Sequence, residues 1–140
     1  MSGRTIEEIA VGEVAELSRA VSQEDIATFL ALVGDSNPIH SDPAALAGTR
    51  FGGPIAPGML TASYISAVIG SRLPGPGVLY ASQDLRFLRP VRVGDVITAR
   101  VEVLERLPER NRVRLRTTCR NERGEEVLAG EAWVLPPRRS

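Results

Sequence analysis

Lysine is absent from this chain of 140 residues, histidine and cysteine occur once each, and aromatic residues make up only 4%. Without lysine there is neither a Schiff-base amine nor a phosphate-loop lysine. The single cysteine, Cys119, excludes an internal disulfide framework and a multi-cysteine metal site. Acidic and basic residues balance at 17 each, and every basic residue is arginine. That balance gives no reason to expect a nucleic-acid partner or a membrane surface. No run approaches the roughly 20 apolar residues of a membrane-spanning helix. The segment Met1 to Glu8 lacks the apolar core of a signal peptide, so the cytoplasm is the expected location. Hydrophobic residues reach 43%, which suits one compact soluble domain over residues 1–140.

Two kinds of periodicity divide the chain. The first twenty residues read as an arm and a strand, with Val14, Leu17 and Val21 as inward candidates. Ser22 then opens a helix with Asp25 at the capping-box position, and Ile26, Phe29, Leu30 and Val33 recur as one apolar stripe ending at Gly34. Asp42 with Pro43 behind it predicts a short second helix. From Gly58 to Ile69 almost no polar face remains, which predicts a helix buried on nearly all sides and terminated by Gly70 and the run from Leu73 to Gly77. From Val78 onward the period is two. Leu79, Ala81, Leu85 and Phe87 form one alternating set, Ile97 to Val103 a second, and Val113 to Cys119 a third. Turns belong at Val93-Gly94-Asp95 and Asn121-Glu122-Arg123-Gly124, and a last strand carries Val127, Ala129 and Trp133 on one side.

The only histidine closes the heptapeptide Gly34-Asp35-Ser36-Asn37-Pro38-Ile39-His40. On a continuous helix, residues five apart point about 140° away from each other. Pro38 excludes that helix and biases Asn37 toward extended backbone, so the segment reads as a loop. A loop can curl the imidazole back toward the Asp35 carboxylate, and histidine with aspartate commonly serves as a general acid/base pair. Taken as turn chemistry alone, the same residues make an Asx-turn and a hydrogen-bonded loop histidine.

With Ser41-Asp42-Pro43-Ala44-Ala45 behind it and Pro54-Ile55-Ala56-Pro57-Gly58-Met59-Leu60 further on, this loop closely resembles the MaoC-like hydratase/dehydratase family. The likeness is strongest to the short R-specific enoyl-CoA hydratases, whose signature is a G-D-x-N-P-(L/I)-H loop followed by an H-G-M-L helix start. Pro57 departs from that second motif, standing where histidine is usual. The resemblance runs from about Glu13 to about Leu135. It implies an α+β hot-dog fold, an antiparallel sheet wrapped around a buried central helix, and a homodimer paired edge to edge. It also implies reversible addition of water to trans-2-enoyl-CoA, giving R-3-hydroxyacyl-CoA, with no cofactor and no metal.

Under that resemblance Asp35 and His40 are the catalytic pair, in either assignment of base and acid, because coupled groups titrate together. An acid at Asp35 needs a pocket apolar enough to raise its pKa. Asn37 orients the loop or the water, or simply forms the turn before proline. Gly58 offers a helix-terminal N–H as an oxyanion hole for the enolate, or permits a tight turn into the helix. Ser66 matches a pocket-lining serine of the family, or back-bonds to its own helix. Arg89, flanked by Arg86 and Arg92, is the candidate for the coenzyme A phosphates. Tyr80 and Trp133 read as core or pocket wall, and Cys119 as an inert buried thiol.

Three rival functions keep the same fold. A 3-hydroxyacyl-ACP dehydratase subunit changes only the carrier. A non-catalytic acyl-CoA binding subunit would be expected to lose Asp35 or His40, and both are present. A hot-dog thioesterase generally places its carboxylate on the central helix, yet Gly58 to Ile69 contains no Asp or Glu.

Overall fold

Six strands make one antiparallel sheet in the computed structural model, which describes residues 2–139: β1 (Val14–Ala20), β2 (Leu79–Gln83), β3 (Arg86–Phe87), β4 (Val96–Leu107), β5 (Arg112–Arg120) and β6 (Glu126–Leu135). Their order is β1-β4-β5-β6-β2, with β3 also paired to β6. Two helices accompany them, α1 (Gln23–Val33) and α2 (Gly58–Ser71). Period-two patterning explains the centre of the sheet. Ile97, Ala99 and Val101 of β4 and Val113, Leu115 and Cys119 of β5 are fully buried against α2. The sheet curls around that helix, which is the hot-dog arrangement.

The outer face is laddered by arginine and glutamate. Arg120 bonds Glu16 at 2.9 Å, and Arg114 reaches both Glu105 and Glu131 at 3.0 Å. Such half-exposed pairs contribute at most about 1 kcal/mol each, so burial under the sheet dominates stability.

Several boundaries differ from expectation, each for a local reason. Val14 is 43% exposed, because side chains three apart cannot share a face of a strand; Ala15 and Leu17 face the core instead. Val33 closes the α1 stripe in sequence but is 57% exposed, at the last residue of the helix, where burial stops with Leu30. No helix forms after Asp42. Its carboxylate accepts the Ala44 N–H at 2.9 Å in a turn, and five residues before Gly48 cannot repay helix nucleation. Gly70 itself still belongs to α2, which ends at Ser71, just before the expected run from Leu73 to Gly77. Nor is α2 buried all round: Ser63, Ser66, Ala67 and Gly70 lie on an exposed face. In β6 Leu128, Ala132 and Val134 are buried on one face; of the expected set on the other, Val127 and Ala129 are buried as well and only Trp133 is partly covered. The strand expected over Leu79 to Phe87 is broken at Asp84 into β2 and β3, at the sheet edge. Tyr80 there is 43% exposed, so it is not a core residue.

Candidate active site

Helix α1 delivers the first functional residue. Ser22 Oγ accepts the Asp25 N–H at 2.9 Å, and Gly34 closes the far end at φ +76°. The Gly34 and Asp35 N–H groups both donate to the Leu30 carbonyl, which fixes where Asp35 leaves the helix. Asp35 Oδ1 then accepts the Asn37 N–H at 2.9 Å. Asn37 in turn caps a single 3-10 turn, Pro38–His40, through the Ile39 N–H at 3.2 Å. The segment is therefore not wholly irregular. Pro38 sits at the start of that turn, where its missing N–H costs nothing.

This chain of short bonds curls His40 back to Asp35. His40 Nε2 lies 3.9 Å from Asp35 Oδ2, beyond direct hydrogen-bond reach. The other ring nitrogen, Nδ1, is 2.8 Å from the Ile55 carbonyl oxygen. A carbonyl only accepts, so Nδ1 carries a proton; in the neutral ring this leaves the Nε2 lone pair directed toward the carboxylate. Ile55 is pinned for this role, since its own N–H donates to the Ile39 carbonyl at 3.0 Å and the next N–H, of Ala56, donates to Val91 at 2.7 Å. The Ile55 carbonyl went unanticipated because a backbone acceptor leaves no mark on residue identity. The Asp35 side chain is 31% accessible and that of His40 only 11%, so the carboxylate is the more open partner in a single chain.

His40 stands between two clefts. The first encloses about 520 Å³ and is walled by Gly58, Met59, Thr61, Phe87 and Leu128 together with His40. Gly58 is the first residue of α2 after Pro57, whose carbonyl accepts the Leu60 N–H at 3.1 Å. The leading N–H groups of this helix therefore have no partner within it. A β-carbon on Gly58 would stand 2.6 Å from the Phe87 ring, so glycine is also required for that contact. Arg89 lines the same cleft, its Nη1 donating to the Glu126 carbonyl at 2.8 Å. The second cleft, about 530 Å³, lies toward α1 and includes Ile26, Leu30 and Arg92.

His40, Gly58 and Arg89 thus share the wall of the first cleft, and Asp35 reaches it only through His40, 3.9 Å away; Asp35, Asn37 and Ser66 line neither cleft. Asn37 spends its side-chain oxygen on the loop, which makes it a positioning residue. Ser66 sits on the exposed face of α2. Burial pushes the Cys119 thiol up to about 12, and its Sγ–H points to the Thr61 carbonyl at 3.7 Å, as an inert core thiol should.

The MaoC like domain matches residues 7–123, spanning the loop, α2 and most of the sheet. The chain belongs to the MaoC-like family. This MaoC-like chain is 47% identical over 133 residues to a 3-hydroxybutyryl-CoA dehydratase of Methylorubrum extorquens, covering 95% of the chain and 84% of the relative. It is 46% identical to an (R)-specific enoyl-CoA hydratase of Rhodospirillum rubrum, covering 95% and 92%. The unliganded R-hydratase of Pseudomonas aeruginosa superposes with a TM-score of 0.92 at 43% identity, covering 99% of this chain and 88% of that one. No helix among the described residues is long and apolar enough to cross a membrane.

Proposed function

We propose that this MaoC-like protein is an R-specific enoyl-CoA hydratase, a hydro-lyase that adds water to trans-2-enoyl-CoA and reverses the step. One observation carries the reading: His40, its Nδ1 held by the Ile55 carbonyl, presents Nε2 toward Asp35 at 3.9 Å, beside a cleft that also exposes Gly58. A gap of that size suits one water oxygen held by both groups. Nε2 takes a proton from the water as its oxygen bonds to C3. The displaced π electrons move to the thioester oxygen, where the Gly58 N–H meets the enolate. Asp35 delivers a proton to C2, and the His40 imidazolium returns one to Asp35 before the next turnover. The Nδ1–H bond to Ile55 favours His40 as base over the opposite assignment.

The protein works without cofactor or metal in this reading, as one domain with a core of about 13–135, in the cytoplasm. A homodimer would cover the edge strand β2, where Leu79 is 64% exposed, and the open face of α2 with Ser66. The test follows loss of the enoyl absorbance of crotonyl-CoA with wild type, Asp35→Asn and His40→Ala. Rapid loss in wild type and near-abolition in both folded variants is expected. A wild type inert toward crotonyl-CoA and toward longer enoyl-CoA thioesters would overturn the reading.

A further inference from the structure

The two clefts that meet at His40 share a charge pattern. Arg50 and Arg89 line the first and Arg92 the second, while no Asp or Glu among the described residues lines either. In a chain with 17 acidic and 17 basic residues, that is a local excess of positive charge facing the site. Several arginines elsewhere are matched to carboxylates, as Arg4 to Glu13, Arg120 to Glu16 and Arg114 to Glu105 and Glu131, while others such as Arg72 and Arg106 bond backbone carbonyls.

Arg50 is held in another way. It takes part in no ion pair among the described residues. Its guanidinium lies 4.9 Å from the centroid of the Phe51 ring. Stacking orders a planar cation while leaving its N–H donors unused. The loop beneath it is tied to the facing segment, with Arg92 Nη2 donating to the Arg50 carbonyl at 3.5 Å. Arg89 stands after β3 with one nitrogen on the Glu126 carbonyl and Glu125 at 3.8 Å from Nε. Two arginines from separate segments thus line one cleft, and Arg50 brings a charge with no carboxylate partner among the described residues.

We propose that Arg50 and Arg89 form a phosphate clamp, taking the phosphate groups of a phosphopantetheine thioester while its reacting carbons lie at His40 and Gly58. The clamp rests on the hydratase reading for its substrate class. Planar guanidinium donors suit phosphate oxygens, and Arg50 is preorganised for them by Phe51. Phosphopantetheine is common to coenzyme A and to carrier proteins, so the binding arms must separate the two.

Calorimetry would compare free coenzyme A, 4′-phosphopantetheine and pantetheine on wild type, Arg50→Ala, Arg50→Lys and Arg89→Ala, with Arg110→Ala as a control on a distant 3-10 turn. Arg50→Ala should weaken coenzyme A about tenfold, the low end for a charge-assisted bond, and Arg89→Ala somewhat less. Arg50→Lys should recover part of the loss, and the losses should shrink at high salt. Pantetheine should bind all variants alike. A full effect on 4′-phosphopantetheine supports a clamp on the phosphate shared with carrier proteins; an effect on coenzyme A alone supports one on its nucleotide phosphates. Equal weakening of coenzyme A and pantetheine, or no weakening of either, overturns the clamp. Arg50-dependent binding of coenzyme A by a protein that hydrates no enoyl thioester would leave the clamp standing and sink the hydratase reading instead.

Discussion

Strands β4 to β6 and the segment from Gly34 to Pro57 hold their shapes by different means. In the sheet, each inward residue is one of many: Ile97, Val101, Leu115 and Val134 are all fully buried, and each strand is bonded along its length to its neighbours. In the segment, few side chains are buried and the geometry depends on single bonds in series. Gly34 sets Asp35, Asp35 holds Asn37, Asn37 caps the His40 turn, and Ile55 fixes the imidazole. Redundant burial gives stability; a serial chain of local bonds gives placement. Stability should therefore reside in the first region and chemistry in the second.

A paired substitution tests that division most sharply. His40→Ala should lower turnover of crotonyl-CoA by about 10²- to 10⁴-fold, the usual contribution of a general base, while leaving the unfolding midpoint nearly unchanged. Leu115→Ala should do the reverse. It opens a cavity at a site with no exposure, costing about 2–5 kcal/mol by denaturant unfolding, while activity per folded molecule survives. If Leu115→Ala instead abolished turnover in fully folded protein, the sheet would be shaping the site directly and the division would fail.

Gly58 lies where the two regions meet. Gly58→Ala places a methyl 2.6 Å from the Phe87 ring, so either the ring or the helix start must move. We expect a rate loss of about a hundredfold, comparable to losing one oxyanion donor. Adding Phe87→Ala relieves the overlap but leaves the methyl beside the helix terminus. Stability should then return without the rate. Full recovery of rate in the double variant would mean that the glycine serves only to seat the ring.

Legibility in the sequence follows the same division. The core of β4 and β5 and the capped start of α1 were readable because burial and capping repeat recognisable residue types. The loop motif marked Asp35 and His40 but not the bond that orients the ring, since any residue at 55 has a carbonyl. Phe87 reads as an ordinary strand residue until its ring is seen against Gly58. The helix expected after Asp42 failed because capping residues also suit turns, and only length decides between them. Ser66 illustrates a different limit: a helix that looks apolar throughout can still leave one side open for another surface.

The smallest expected effect concerns Cys119, which belongs wholly to the sheet region. Burial raises its thiol to about 12 in the folded state, while an unfolded thiol titrates near about 8.5. Below that lower value both states bind the proton and the thiol leaves stability independent of pH. Above it the unfolded chain loses its proton first, so the thiol's contribution is lost progressively as pH rises toward 12. One pH unit into this window the loss is on the order of 1 kcal/mol. Denaturant unfolding from pH 8 to 10 should therefore fall more steeply for wild type than for Cys119→Ala, and a thiol reagent should label the native protein only through unfolding. Fast labelling of folded protein would show that the core beneath β5 opens locally, and the sheet would no longer contrast with the loop it supports.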